Sequence, residues 1–152
     1  MELTHAYILA GGRSSRFGTD KARAFWHNAP LIIHHVPMLQ SLGLQVTAIA
    51  AAADAYADLG LRTIADRHPG AGPLAGLEAA LFDARQQIGS ETLVALLPCD
   101  LLVLPATWLI LLAQACTHAA PAAAFFTERW QPLPAVYSTT LAPLIAGQLA
   151  RD

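Results

Sequence analysis

The segment YILAGGRSSRFGTDK, residues 7–21, runs from an apolar stretch into two glycines and then into several cationic side chains. The apolar residues 7–10 predict a short buried strand that stops at the glycines. Gly11 and Gly12 let the backbone approach a ligand closely, because glycine has no Cβ and tolerates positive φ. Cationic residues follow within the next nine positions, among them Arg16 and Lys21, which is the only lysine of the chain. We therefore predict an anion site that suits a triphosphate.

Two familiar phosphate-binding motifs do not describe this loop. A P-loop requires Gly-Lys-Ser/Thr at a fixed spacing, and a dinucleotide fingerprint requires G-x-G-x-x-G directly after the strand. Neither is present in residues 7–21. A solvated surface loop, in which the glycines only turn the chain, is the structural alternative.

Apolar runs of strand and helix length alternate along the rest of the sequence. The pattern predicts strands at 44–51, 61–65, 92–97, 121–126 and 133–137, and helices at 30–43, 54–60, 74–88, 105–116 and 138–152. Such alternation favours an α/β fold, a three-layer Rossmann-like and mostly parallel sheet. Ligands of such sheets bind at the carboxyl ends of the strands.

Composition limits the classes of function. The 152 residues are 55% hydrophobic and carry a formal net charge of -2, so we expect one domain over residues 1–152 and no nucleic-acid or membrane partner. Residues 93–113 are interrupted by prolines and an aspartate, which a membrane span does not favour. Two cysteines, Cys99 and Cys116, without a disulfide-rich pattern predict a cytoplasmic protein.

Two aspartates follow predicted strands. Asp100 comes directly after the apolar run 93–99, and Asp66 ends the strand 61–65 before a glycine-rich loop. Magnesium prefers oxygen ligands and commonly takes one or two carboxylates together with substrate phosphates. Asp100 is therefore a candidate Mg²⁺ ligand, although either aspartate alone could simply cap a turn or a helix.

Three segments in order resemble the molybdenum cofactor guanylyltransferases, members of the nucleotidyltransferase fold. LAGGRSSRFGTDK at 9–21 is similar to the family's opening L-A-G-G-x-S-x-R-M-G-x-D-K, with Phe17 in place of methionine. GPLAGLEAAL at 72–81 and LLPCDLLVLP at 96–105 resemble its second and third motifs. The resemblance implies Mg²⁺-dependent transfer of GMP from GTP to the phosphate of molybdopterin bearing molybdenum, with release of pyrophosphate.

The resemblance also implies a nucleotide site formed by residues of the first and third segments and by Asp66 at the end of the strand 61–65: Leu9, Ala10, Gly11, Gly12, Arg16, Lys21, Asp66 and Asp100. Within it, Leu9, Ala10 and Gly11 would line the guanine and ribose pocket. Arg16 and Lys21 would hold the phosphates and, with Asp100 as the magnesium ligand, form the catalytic set. Asp66 would contact the nucleotide. Molybdenum enzymes or other proteins of cofactor biosynthesis are the expected protein partners.

Some positions depart from the family pattern. Ala48 or Ala50 stands where relatives offer an asparagine to the nucleotide, and no Asn-x-Asn-Thr segment occurs before Asp152. We therefore expect the chain to lack the family's C-terminal segment. Two alternatives stay open: a cytidylyltransferase or related enzyme with another acceptor, and a non-catalytic nucleotide- or partner-binding protein. Gly11 favours the guanylyl version, since cytidylyl relatives tend to read LAAG.

Overall fold

The computed structural model describes residues 1–10, 20–68, 70–89 and 91–151. Its strands are β1 (Leu3–Leu9), β2 (Phe25–Trp26), β3 (Ala29–Pro30), β4 (Gln45–Ala50), β5 (Thr63–Ala65), β6 (Leu93–Pro98), β7 (Ala122–Phe126) and β8 (Trp130–Ser138). Its helices are α1 (Leu31–His34), α2 (Val36–Ser41), α3 (Pro73–Ile88), α4 (Ala106–Ala115) and α5 (Ala142–Leu149). Short 3₁₀ turns occupy Lys21–Arg23, Ala57–Leu59 and Thr139–Leu141.

Six strands form one mixed sheet in the order β5-β4-β1-β6-β8-β7. β5, β4, β1 and β6 run parallel, whereas β8 pairs antiparallel with β6 and with β7. The mostly parallel α/β sheet predicted from the sequence is therefore confirmed. In the described part of the chain, no helix has the length and apolar character needed to cross a bilayer.

The two faces of the sheet bury different side chains because successive residues of a strand point in opposite directions. From β1, Ala6 and Ile8 join the core under α1, α2 and α4, while Tyr7 joins the core under α3 and α5. The side chains of β6 alternate in the same way, and Ala95 and Leu97 lie on the face covered by α1, α2 and α4. The central strands are thus covered on both sides, which explains why β6 and residues 6–9 of β1 are apolar at successive positions.

A polar network lies beneath α3. The Tyr7 hydroxyl donates to Asp83 Oδ2 at 2.7 Å, and the Arg62 guanidinium donates to both carboxylate oxygens of Asp83 at 2.8 and 2.7 Å. Arg62 also donates to the Thr47 hydroxyl at 3.1 Å. The network satisfies a hydroxyl and a carboxylate that the fold largely removes from water, so it offsets their desolvation.

Several local details differ from the sequence prediction: residues 54–60 hold only the 3₁₀ turn Ala57–Leu59, and the helix predicted over 138–152 is reduced to α5 after a 3₁₀ turn. The helix expected over 30–43 is broken at His35 into α1 and α2, because Pro37 has no N–H to continue the helical hydrogen bonds. The short ribbon of β2 and β3 was not predicted at all. Its strands have only two residues each, too few for an alternating pattern to be visible.

The loop before α3 places the beginning of that helix at the carboxyl edge of the sheet. Gly70 and Gly72 have φ of 92° and 76°, values that L side chains rarely adopt. Pro73 then opens α3, and the helix ends at Gly89, whose N–H donates to the Arg85 carbonyl at 2.9 Å. Since α3 runs back against the parallel strands, its positive end faces the side where the strands finish.

Candidate active site

The carboxyl ends of β1 and β6 lie side by side and are tied together by the backbone. The Cys99 N–H donates to the Leu9 carbonyl at 3.1 Å, and the Ala10 N–H donates to the Ile49 carbonyl of β4 at 2.9 Å. Asp100 therefore follows a strand that directly neighbours the strand leading into the glycine loop. Gly11, Gly12 and Arg16 lie outside the described residues.

Leu9 and Ala10, the predicted base-pocket residues, are partly buried at this edge. Leu9 packs against α3 at Gly76, where an added Cβ would overlap the Leu9 Cδ2 atom. Gly76 thus allows the helix to approach the end of β1 and fixes the space available to the Leu9 side chain. The second sequence motif contributes to the site through this close approach.

Lys21 begins a 3₁₀ turn of fixed geometry. The Asp20 carboxylate caps the turn, since its Oδ1 accepts the Ala22 N–H at 3.0 Å. Ala22 is buried in the core, whereas Lys21 is exposed. The turn is therefore anchored by its apolar residue and presents its ammonium group to solvent on the site's side.

Arg23 joins this turn to the segment after β4. Its guanidinium donates to both Asp58 oxygens at 2.8 Å and to the Ala55 carbonyl at 2.8 Å, and it stacks over the Tyr56 ring at 5.2 Å. The Tyr56 hydroxyl donates to Asp20 Oδ2 at 2.9 Å. The hydrogen bonds from Arg23 lower the pKa of the exposed Asp58 carboxyl.

The Cys99 thiol shows that the first and third motifs meet. Burial raises its pKa to about 11, and the negative charges of Asp100 and Asp20 act in the same direction, while Lys21 opposes them. The backbone hydrogen bond from Cys99 to Leu9 places this half-buried thiol where the ends of the two motif-bearing strands meet. At this pKa the thiol stays protonated at neutral pH, which agrees with a packing role for Cys99 and not with a nucleophile.

Asp66 occupies a different part of the same edge. Its N–H donates to the Ala50 carbonyl at 2.8 Å, and its Oδ1 accepts the His68 N–H at 2.9 Å, so it caps the turn after β5. β5 and β6 are separated by three inter-strand steps, or about 14 Å at a spacing of about 4.8 Å. Asp66 and Asp100 accordingly lie too far apart to share one metal ion.

The loop that carries Asp66 is held by a pair that the sequence analysis missed. Arg67 donates to Glu78 Oε1 at 2.8 Å, and its guanidinium lies 4.3 Å from the centroid of the Phe82 ring. The Glu78 side chain is only 7% exposed, while that of Arg67 is 47% exposed. The spacing of the pair, eleven residues across a glycine-rich loop, gives no local signal from which to infer it.

His35 similarly supports the loop after Asp100. Its Nε2–H donates to the Leu101 carbonyl at 2.6 Å, which links the break between α1 and α2 to the residue next to Asp100. Desolvation lowers the pKa of His35, and His34 acts in the same direction, against the effect of the Leu101 carbonyl. The sequence showed only two adjacent histidines on a predicted helix, where neighbouring side chains diverge.

The donor set fits a magnesium ion that the substrate helps to hold. Asp100 is exposed at the strand end, and no group of three or more acidic, histidine or cysteine side chains that could hold a metal exists among the described residues. One carboxylate together with phosphate oxygens is a normal Mg²⁺ environment, because this ion keeps several waters and binds few protein ligands.

Comparison with known proteins identifies the family of the chain. A family model described as "MobA-like NTP transferase domain" matches residues 6–152. The chain belongs to that family. The matched range includes the ends of β1, β5 and β6 as well as the loop before α3, and therefore every predicted site residue.

Several relatives carry the same functional name. A "Probable molybdenum cofactor guanylyltransferase" of Deinococcus radiodurans is 40% identical over 147 residues, which are 95% of this chain and 72% of the relative. The molybdenum cofactor guanylyltransferase of Rhizobium johnstonii is 36% identical over 149 residues, covering 95% of this chain and 68% of the relative. That of Pasteurella multocida is 35% identical over 153 residues and is covered to 77%.

Solved structures share the fold. Molybdopterin-guanine dinucleotide biosynthesis protein A of Archaeoglobus fulgidus has a TM-score of 0.72 at 20% identity, over 99% of this chain and 74% of that one. A 4-diphosphocytidyl-2C-methyl-D-erythritol synthase has a TM-score of 0.66 at 12% identity, and the match covers 95% of this chain and 79% of that one. At these identities the likeness concerns the architecture of the sheet and its helices.

Proposed function

We propose that this chain is a guanylyltransferase that transfers GMP from GTP to the terminal phosphate of molybdenum-bearing molybdopterin. Family membership and the names of the relatives support the reaction class and the substrates. The observation that carries the proposal is the backbone hydrogen bond from Cys99 to Leu9, because it places Asp100 beside the end of the strand that leads into the glycine loop and Lys21. A cation and a carboxylate at one strand edge suit a nucleotide whose phosphates need both charge neutralisation and a metal.

The reaction is a displacement at the α-phosphorus of GTP. An oxygen of the acceptor phosphate forms a new bond to this phosphorus, the bond to the bridging oxygen breaks, and pyrophosphate leaves with the electron pair. The acceptor oxygen is already anionic, so no general base is required. What the protein must supply is alignment of the two phosphates and stabilisation of the growing negative charge.

The residues of the site have different roles in this reaction. Lys21, with Arg16, neutralises charge on the phosphates and the leaving pyrophosphate. Asp100 would hold Mg²⁺, which when bound neutralises phosphate oxygens and orients them. Leu9 and Ala10 form the apolar wall against which the base rests. The N-terminus of α3 adds a positive potential at the same edge of the sheet.

The direct test is incubation of the protein with GTP, Mg²⁺ and molybdenum-bearing molybdopterin, followed by chromatography of the dinucleotide and an assay of pyrophosphate. We expect both products from the parental chain. Lys21→Ala and Asp100→Asn should each lower the rate about 100-fold or more, because each removes a preorganised charge at the reacting phosphates. Arg85→Gln, an exposed change on α3, is the matched control for loss of a positive charge.

The choice of nucleotide is tested separately by thermal shift with GTP and with CTP. Only the nucleotide that binds the folded state raises the melting temperature. A shift and turnover with CTP alone would assign a cytidylyltransferase. Binding of GTP without pyrophosphate release from folded protein would instead support the non-catalytic alternative.

A further inference from the structure

Arg23 follows Lys21 closely but has no role in the reaction proposed above. Resting on that function, we propose that Arg23 and Tyr56 are positioning residues that hold Lys21 toward the nucleotide phosphates. Together with Asp20 and Asp58 they form what we call the Lys21 clamp. The clamp acts by fixing the backbone from which the Lys21 side chain extends.

The contacts of the clamp close around Lys21 from both sides. Asp20, the residue before Lys21, accepts the Tyr56 hydroxyl at 2.9 Å with one oxygen and the backbone N–H of the 3₁₀ turn at 3.0 Å with the other. Arg23, two residues after Lys21, makes two 2.8 Å hydrogen bonds to Asp58 and also lies 3.8 Å from the Asp20 carboxylate. The chain on either side of Lys21 is therefore tied to the same segment after β4.

Tyr56 anchors the clamp in the hydrophobic core. The residue is only 3% exposed and belongs to the main hydrophobic core. Its backbone N–H donates to the Thr63 hydroxyl at 3.3 Å, and its carbonyl accepts the Leu61 N–H at 3.3 Å. The 3₁₀ turn that carries Lys21 is thus linked to β5 of the sheet through Tyr56.

Such a device matters for a lysine in particular. A lysine side chain is a point charge on a flexible four-carbon stem, so the ammonium group samples a large volume unless the backbone and the ligand limit it. Because charge on the pyrophosphate grows as the bond breaks, accurate placement contributes most in the transition state. Loss of the clamp should therefore lower kcat more than it raises KM for GTP.

The test uses the fact that Lys21 is the only lysine in the chain. Acetylation by a mild acylating reagent, followed by peptide mass mapping, reports the reactivity of this single ε-amine. We expect saturating GTP and Mg²⁺ to slow Lys21 acetylation about tenfold or more in the parental protein, as a charge-assisted contact to phosphate requires. Tyr56→Phe and Arg23→Gln should lose most of this protection and about tenfold in kcat, with less than about a threefold change in KM.

Matched variants separate positioning from general damage. Tyr137→Phe also removes a tyrosine hydrogen bond, to the Pro132 carbonyl at 2.9 Å, and Arg85→Gln also removes an arginine charge; both should keep the protection and kcat. The charge reversal Arg23→Glu with Asp58→Arg should regain part of what Arg23→Glu alone loses. Since Arg23 is exposed, its variants keep the test available if Tyr56→Phe does not fold.

The outcomes distinguish the clamp from the reaction. Protection and kcat unchanged in both Tyr56→Phe and Arg23→Gln would overturn the clamp. Absence of protection in the parental protein would overturn it as well, because Lys21 would then not meet the phosphates. Protection that the variants lose, in a protein that forms no dinucleotide, would support the clamp and contradict the proposed acceptor.

Discussion

Replacement of Arg67 by methionine should destabilise the protein by about 2–3.5 kcal/mol. Glu78 is a buried carboxylate whose Oε1 accepts from Arg67, while its buried Oε2 has no hydrogen-bond partner among the described residues. Removing one partner of a fully buried pair typically costs about 3–5 kcal/mol. Because the Arg67 side chain is 47% exposed, water screens this pair, and we take about half of that range. Loss of the contact with Phe82 adds about 0.5–1 kcal/mol.

The measurement is urea unfolding at pH 7 with linear extrapolation, supported by thermal unfolding. For a chain of this size the expected loss corresponds to a decrease in melting temperature of about 5–10 °C. The double variant Arg67→Met with Glu78→Leu leaves no uncompensated charge and should return to within about 1 kcal/mol of the parental stability. Arg85→Met, on the helix α3 that also carries Glu78, is the control for replacing an exposed arginine by methionine. A single variant within 0.5 kcal/mol of the parental protein, or a double variant as unstable as the single one, would refute the reasoning.

Three further outcomes are expected. Burial alone would raise the pKa of Asp83, but hydrogen bonds, led by those from Arg62, have the larger effect, and the net pKa is lowered. The ionised carboxylate therefore stabilises the fold fully above its unfolded pKa, and this stabilisation is lost as the pH falls through the folded pKa. Asp83→Asn should cost about 1–3 kcal/mol at pH 7 and flatten the acid limb of the stability curve below about pH 4. Gly76→Ala should displace Leu9 toward the proposed base pocket and weaken GTP binding about fivefold in calorimetry, equivalent to about 1 kcal/mol. Gly147→Ala, at a helical position with open space around it, should instead raise stability by up to about 1 kcal/mol and leave GTP binding unchanged.

Much of the fold could be read from local patterns. The apolar run before the glycine loop became β1, and the periodic segment 74–88 became α3 with its beginning one residue earlier. The break at His35 was missed because the apolar spacing continues across it, although Pro37 cannot complete the hydrogen bonds. Helical periodicity reports which face is buried, and it says little about whether the backbone is continuous.

The site was predictable in its residue types more than in its arrangement. Asp100 follows the strand beside β1, whereas Asp66 lies three strands from Asp100 and caps a turn. The roles assigned to these residues, and to Gly11, Gly12 and Arg16 outside the described residues, stay predictions until they are tested.

The sequence by itself determined the fold class, the family and the kind of chemistry, because apolar periodicity, glycine positions and the order of three motifs are properties of the chain alone. Only the tertiary structure decided which charged groups support one another. Tyr56 reaches Asp20 across 36 residues, and Arg23 reaches Asp58 across 35. Such contacts depend on strand order: with β4 beside β1, the segment after β4 lies against the turn that carries Lys21, and no local pattern specifies that proximity.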